Sequence, residues 1–338
     1  MHYFLPPNHA QHFADGNPES PARITAIVQG LESAGLWQPY PKLAALTVPQ
    51  SVLHAIHTPA YLTDLQRACL THPWYDADTY LTPASWQIAL ESAGGALAIA
   101  EAVWTRQTEN GFALCRPPGH HATPNRAMGF CLLNNAALAA EYLIQQHGAQ
   151  RIAVIDLDLH HGNGTQDIFW ARGDVLYIST HQSPLYPGTG SVDETGVGAG
   201  AGATINFPLP PGSGDSAFAA VLDEAILPML NRFKPQMLLI SLGFDSHWRD
   251  PLGYLLVSAQ GYHNTLASLI QWAQQHANGR IALILEGGYD LHADSACAQA
   301  AVTALLAQPF TDPIGASRHP ERGAWRSILE QVKRKFSL

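Results

Sequence analysis

The chain has 338 residues, 46% hydrophobic and 13% charged, a composition that buries a large core beneath a comparatively neutral surface. Its 18 Lys and Arg stand against 27 Asp and Glu, a formal net charge of -9, which argues against the clustered basic face that non-specific nucleic-acid binding needs. No apolar run approaches the roughly 20 residues that cross a membrane, so a membrane partner is not expected.

The opening residues Met1-His2-Tyr3-Phe4-Leu5-Pro6 lack a basic stretch followed by an apolar one. No secretory signal is therefore read, and cytoplasm is the expected location. Cys69, Cys115, Cys131 and Cys297 are widely and irregularly spaced, which fits buried thiols rather than a disulfide framework or a zinc knuckle. The 17 histidines nearly equal the Lys plus Arg count. Several stand beside Asp or Gly rather than on apolar helix faces, a first pointer to metal or acid–base chemistry.

In chain order, hydrophobic periodicity predicts a helix over 84–106, a strand over 111–115, a helix over 132–147 and strands over 152–159 and 175–180. Gly-rich loops follow at 196–202 and 208–214, then a helix over 216–233, a strand over 237–243, a helix over 258–277, a strand over 281–285 and a helix over 295–307. Near-continuous apolar strands separated by helices indicate a parallel sheet covered on both faces. There is no internal repeat and no long linker, so residues 1–338 read as one large α/β domain.

Four of these strands run into polar clusters: Arg116-Pro117-Pro118-Gly119-His120-His121, Asp156-Leu157-Asp158-Leu159-His160-His161-Gly162-Asn163-Gly164, Gly243-Phe244-Asp245 and Glu286-Gly287-Gly288-Tyr289-Asp290. Sites in open parallel α/β sheets form at strand carboxyl ends, so four such clusters predict one shared cleft.

In an extended chain Asp156, Asp158 and His160 share a face while Leu157 and Leu159 pack behind them. Two adjacent buried carboxylates repel unless a cation neutralises them, and a neighbouring His supplies the nitrogen that Zn²⁺ favours. A lone Asp-x-Asp is more often a solvated strand end; the attached His-His-Gly-x-Gly argues otherwise. A catalytic zinc needs three protein ligands and an open position. Asp158 and His160 supply two, and Asp245 is the candidate third, although an Asp after Gly-Phe alone is usually a turn residue. Adjacent side chains of His120 and His121 should diverge, which suits a base and its companion acid beside a metal-bound water better than two ligands of one ion. The glycines before Tyr289 permit close backbone approach, so its hydroxyl can serve an oxyanion.

These segments, together with Pro18-Glu19-Ser20-Pro21-Ala22-Arg23, Met128-Gly129-Phe130-Cys131 and Tyr186-Pro187-Gly188-Thr189-Gly190, resemble the histone deacetylase and acetylpolyamine amidohydrolase superfamily, in order and over most of the chain. The resemblance implies an arginase-like three-layer α/β/α sandwich with a mostly parallel eight-stranded sheet. It implies zinc, one per chain, on Asp158, His160 and Asp245, with His121 as general base, His120 as its electrostatic partner and Tyr289 on the oxyanion. Asp156 would orient His120 and join a structural potassium site with Ser179 and the carbonyls of Asp158 and His160. Phe169, Arg172 and Val175 align with a second monovalent-cation loop, and Arg23 with a buried arginine near an internal channel. Phe130 and Tyr186, the latter in place of the usual Phe, align with the walls of an acyl-lysine tunnel, and Gly129 with a backbone contact to substrate. Asn163 behind His121 resembles the class II and bacterial branch.

The implied activity is removal of acetyl or related acyl groups from amines such as acetyl-lysine. An acetylpolyamine deacetylase is the alternative, followed by an inactive acyl-lysine binding module on the same fold. An arginase-type ureohydrolase would need more bridging aspartates and a Gly-Gly-Asp-His segment, which the chain lacks. After Asp250-Pro251 the rim residue is Leu252, which resembles the peptide deacetylases; a Glu there would resemble the polyamine enzymes. A rim carboxylate from Glu19 or Asp76 is the competing expectation. The sequence leaves oligomerisation open.

Overall fold

The computed structural model describes residues 1–338. An eight-stranded sheet is formed by β1 (His2–Phe4), β2 (Lys42–Leu43), β3 (Asn110–Ala113), β4 (Ile152–Asp156), β5 (Val175–Gln182), β6 (Thr204–Leu209), β7 (Met237–Leu242) and β8 (Ile281–Leu285). The order is β2-β1-β3-β8-β7-β4-β5-β6, and every pairing is parallel. The sheet expected to be mostly parallel is thus wholly so.

Side-chain alternation splits the core in two. Ala153 and Ile155 of β4 and Ile281, Leu283 and Leu285 of β8 face one apolar cluster, whereas Ile152, Val154, Ala282 and Ile284 face the other. The first cluster is closed by α1 (Pro21–Ser33), α7 (Asp215–Val221), α8 (Leu227–Phe233), α9 (Ala259–His276), α10 (Leu291–Leu305) and α11 (Trp325–Phe336). The second is closed by α2 (Gln50–Ile56), α3 (Pro59–Thr71), α4 (Ser85–Trp104), α5 (Asn135–His147) and α6 (Asn163–Phe169). The result is a three-layer α/β/α sandwich, and each fully buried Leu, Ile or Val in it contributes roughly 1.5–3 kcal/mol. No helix is long and apolar enough to cross a membrane.

The expected strand over 152–159 stops at Asp156. There the Asp156 carboxylate accepts the Asp158 amide (3.2 Å), which turns the chain out of the ladder. Leu157 and Leu159 still enter the first core cluster, so the inward half of the alternation survives. The helix expected over 216–233 is three pieces, because one wide π turn over Leu222–Ile226 joins α7 to α8. α10 begins before the expected 295, because the Asp290 side chain caps it by accepting the His292 and Ala293 amides. Since all strands run the same way, the carboxyl ends of β3, β4, β7 and β8 lie along one edge.

Candidate active site

The segment after β3 is fastened from two directions. Arg116, fully buried, pairs with Glu19 (2.8 Å) and donates to the carbonyls of His9 and His12 (2.6 and 2.7 Å). Glu286, at the end of β8, accepts the amides of Gly119 and His120 (2.6 and 3.1 Å) and the Ser241 hydroxyl (3.0 Å). His120 and His121 are thereby set in a turn closed by the Ala122 amide on the Gly119 carbonyl. Their rings do not diverge as expected; the turn places them 4.0 Å apart between centroids. His120 Nδ1 faces Asp156 Oδ2 at 3.1 Å, and its Nε2 lies 3.7 Å from Asp158 Oδ1. His121 Nδ1 faces Asn163 Oδ1 at 2.8 Å.

Asp158, His160 and Asp245 converge, with one ligand atom from each lying within 4.8 Å of the others. His160 Nδ1 is 3.2 Å from Asp158 Oδ1 and 3.1 Å from Asp245 Oδ2. The remaining oxygens are held from behind: Asp158 Oδ2 accepts the Gly287 amide and Asp245 Oδ1 the Leu159 amide, both at 2.9 Å. A Cβ on Gly287 would collide with both carboxylates, so glycine is required for that approach. Two buried carboxylates and one imidazole, each oriented by backbone, fit a divalent borderline cation. Asp156 turns away from this cluster toward His120, the Tyr177 hydroxyl (3.1 Å) and the Asp158 amide. The single shared face expected for Asp156, Asp158 and His160 is therefore divided, because the chain has left the strand.

The charge balance supports that fit. Against the burial that would lower it, bonds to Asp158 and Asp245 push the His160 imidazole up to about 10. Burial and the neighbouring Asp158 push Asp245 up to about 6. Asp158, although burial raises it, is held well below the usual carboxylate range by His120 and His160. Burial would lower His120, but Asp158 and Asp156 outweigh it and hold the ring protonated. Burial, His120 and His160 depress His121, which is left neutral. The surroundings thus push the adjacent histidines in opposite directions.

The approach is walled by rings. Tyr186 stands edge-on 5.1 Å from His121 and 6.3 Å from His160, and Phe130 lies 5.8 Å from Tyr289. Gly129 (φ 55°) and Phe130 (φ 66°) both take left-handed backbone, and a Cβ on Gly129 would overlap the His121 ring. The Thr79 hydroxyl accepts the Phe130 amide (3.2 Å). Arg23 donates to the carbonyls of Gly288 and Glu286, and its guanidinium sits 4.9 Å from the Tyr289 ring centre. Asp250 accepts the amides of both Leu252 (2.9 Å) and Tyr289 (2.7 Å). Leu252 is half-buried against the first core cluster.

Ser179 lies directly opposite Asp156 in the β4–β5 register, its hydroxyl 2.9 Å from His181 Nδ1. Phe169, Arg172 and Val175 lie apart from this cluster, where Arg172 spans Glu141 and Asp174 and covers the Phe169 ring at 5.3 Å. Glu19 does lie on the loop before α1, but not at the surface. It is fully buried between Arg23 and Arg116, so that expectation for the rim fails. Glu286 as an anchor, Tyr177 and Asp250 were not foreseen as site-building residues; only a Glu between an apolar strand and two glycines offered a signal. A cavity of about 560 Å³ opens at the amino ends of β3 and β8 around Arg106, Asn110 and Ile281, far from these groups.

Residues 17–305 match the family model described as the histone deacetylase domain. A probable deacetylase of Archaeoglobus fulgidus is 46% identical over 236 residues, 70% of this chain and 66% of that protein. Histone deacetylase 14, chloroplastic, of Arabidopsis thaliana is 38% identical over 345 residues, 95% of this chain and 81% of that protein. The crystal structure of the HDA15 HD domain superposes with a TM-score of 0.89 at 34% identity, covering 99% of this chain and 96% of that one. This chain therefore spans just under two thirds of the archaeal relative's length and most of the plant protein's.

Proposed function

The chain belongs to the histone deacetylase family, and from that premise we propose that it is a zinc-dependent amidohydrolase that removes acetyl-type groups from acylated amines such as acetyl-lysine. The observation that supports this most is the meeting of Asp158, His160 and Asp245 with the paired rings of His120 and His121 at one strand-end edge. In this reading residues 1–338 act as one deacetylase domain, in the cytoplasm.

Asp158, His160 and Asp245 would hold one zinc. When bound, it would polarise the amide carbonyl and acidify water. Its ligand set also accepts Fe²⁺ or Co²⁺. Asp156 and Ser179 would join a structural potassium site. His121, neutral and oriented by Asn163, accepts the proton of the attacking water. Tyr289, fixed by Asp250 and Arg23, presents its hydroxyl to the developing oxyanion. A protonated histidine of the pair then protonates the leaving amine, and acetate departs. Phe130 and Tyr186 flank the acyl chain, with the backbone at Gly129 available to it.

The polyamine alternative needs a rim carboxylate for an internal ammonium. Glu19 is buried, and Asp76 is engaged by the Asp78 and Thr79 amides and by Arg126 at 3.5 Å. Leu252 offers none. Acetyl-lysine or another uncharged-chain acylamide is therefore the favoured substrate.

Elemental analysis and hydrolysis of a fluorogenic acetyl-lysine peptide test the reading together. One zinc per chain is expected, with activity lost on chelation and restored by zinc. Asp245→Ala should lose both metal and activity. Stoichiometric zinc in that variant would refute the ligand assignment, and an inactive zinc-loaded wild type would refute the enzyme.

A further inference from the structure

One cluster of metal-ligating atoms shares only His120 with the proposed chemistry. His120, Cys131 and Glu286 bring a ring nitrogen, a thiol and a carboxylate oxygen within 4.8 Å of one another. Cys131 and Glu286 are 0% exposed and His120 is 3% exposed. Three separate segments deliver them: the turn after β3, the bridged loop in which Met128 pairs with Cys131, and the end of β8. Glu286 already has one oxygen on the Gly119 and His120 amides and the other on Ser241, so its orientation is fixed in advance.

We propose that this floor of the site is a second, inhibitory site for a thiophilic divalent cation, Zn²⁺ or Cd²⁺. The ligand chemistry selects the class. A thiolate, an imidazole and one carboxylate suit zinc and its softer congener, whereas Mg²⁺ and Ca²⁺ take all-oxygen shells. Bonds of about 2.0–2.3 Å around a tetrahedral ion put its ligands about 3.5 Å apart, so the three side chains need to draw in by about 1 Å.

The proton balance is explicit. His120 keeps its Nδ1 proton on Asp156 and surrenders the Nε2 proton, while Cys131 surrenders its thiol proton. One nitrogen–metal, one sulfur–metal and one oxygen–metal bond form, two protons leave to solvent, and nothing is oxidised or reduced. His120 Nε2, 3.7 Å from Asp158, is then bonded to the second ion and withdrawn from the neighbouring site, which is why occupancy inhibits. That consequence rests on the proposed deacylase function; the binding itself does not.

The test titrates holoenzyme carrying one zinc with Cd²⁺, and in parallel with excess Zn²⁺. A second equivalent is expected by equilibrium dialysis, accompanied by the ultraviolet charge-transfer band of a cadmium thiolate and by loss of acetyl-lysine hydrolysis. Cys131→Ala and Cys131→Ser should keep activity at one zinc, lose the band and the second equivalent, and need on the order of tenfold more Zn²⁺ for half-inhibition. A second equivalent without the thiolate band in wild type, no second equivalent, or unchanged zinc inhibition in the Cys131 variants would each overturn the proposal. The band is read on the unmutated protein, so a variant that misfolds does not spare it. Should the holoenzyme hydrolyse nothing, the functional reading fails while dialysis and the band still decide this site.

Discussion

At the scale of single residues, the site is a set of pairs in which one partner fixes what the other can do. The Tyr289 amide is held by Asp250 and its ring rests over Arg23, so the hydroxyl is placed without contributing to the fold. Tyr289→Phe is accordingly expected to keep zinc stoichiometry and melting temperature while kcat falls about 10²–10³-fold, the usual cost of one oxyanion donor. A near-normal rate would reduce Tyr289 to a turn residue. Asn163 makes the second case. Its neutral oxygen, 2.8 Å from His121 Nδ1, orients the ring without stabilising an imidazolium as a carboxylate would. His121 lies well below its ordinary value, and the proposed base works only when neutral, so rate falls as pH drops through its pKa. Asn163→Asp adds a negative charge, raises that pKa and should move the acidic limb of the kcat/KM profile to higher pH. A limb that stays put would mean that the pair does not act as drawn.

At the scale of elements, the loops after the strands carry the specificity. Leu252 belongs to the turn that Asp250 closes, beside Tyr289. A carboxylate there would face an incoming ammonium in a partly desolvated rim, an interaction of about 1–3 kcal/mol. Leu252→Glu should therefore raise kcat/KM for acetylspermidine relative to an acetyl-lysine peptide. A tenfold preference of the wild type for the polyamine would contradict this rim. What the sequence disclosed at this scale follows from burial. β3, β4, β5, β7 and β8 are buried on both faces and read as apolar runs. The other three strands escaped detection: β1 and β2 have three and two residues, and β6 carries Pro208 on the edge of the sheet. The clusters at strand ends were legible because Asp, His and Gly are out of place after apolar runs. The anchoring of Gly119 and His120 by Glu286 was not, because it joins residues about 170 positions apart and depends on the register that stacks β3 beside β8.

At the scale of the whole molecule, the fold concentrates negative charge at one edge of the sheet, and stability should report it. Burial pushes Asp245 from 3.8 to about 6, Asp250 from 3.8 to about 7 and Glu286 from 4.5 to about 7. Burial lowers His160, but its two carboxylate partners carry it from 6.5 up to about 10. All four groups bind protons more tightly folded than unfolded. Their contribution is complete below the unfolded values and is lost as pH rises through the folded ones, for the carboxyls between about pH 4 and 7 and for His160 from about 6.5 toward 10. Asp158 runs the other way, but its loss comes only in acid. Buried histidines elsewhere, His9, His12, His57, His161 and His247 among them, are lowered by burial and work the opposite way below about pH 6.5, so the comparison that isolates this edge is between zinc-loaded and chelated protein. Protein with one equivalent of zinc replaces those protons by a cation, and binding that releases protons strengthens with pH. The gap in Tm between zinc-loaded and chelated protein is expected to widen from pH 5.5 to pH 8. A gap that is constant or narrows would show that the acidic edge is not neutralised by the metal, and that Asp158, His160 and Asp245 hold their charge by other means.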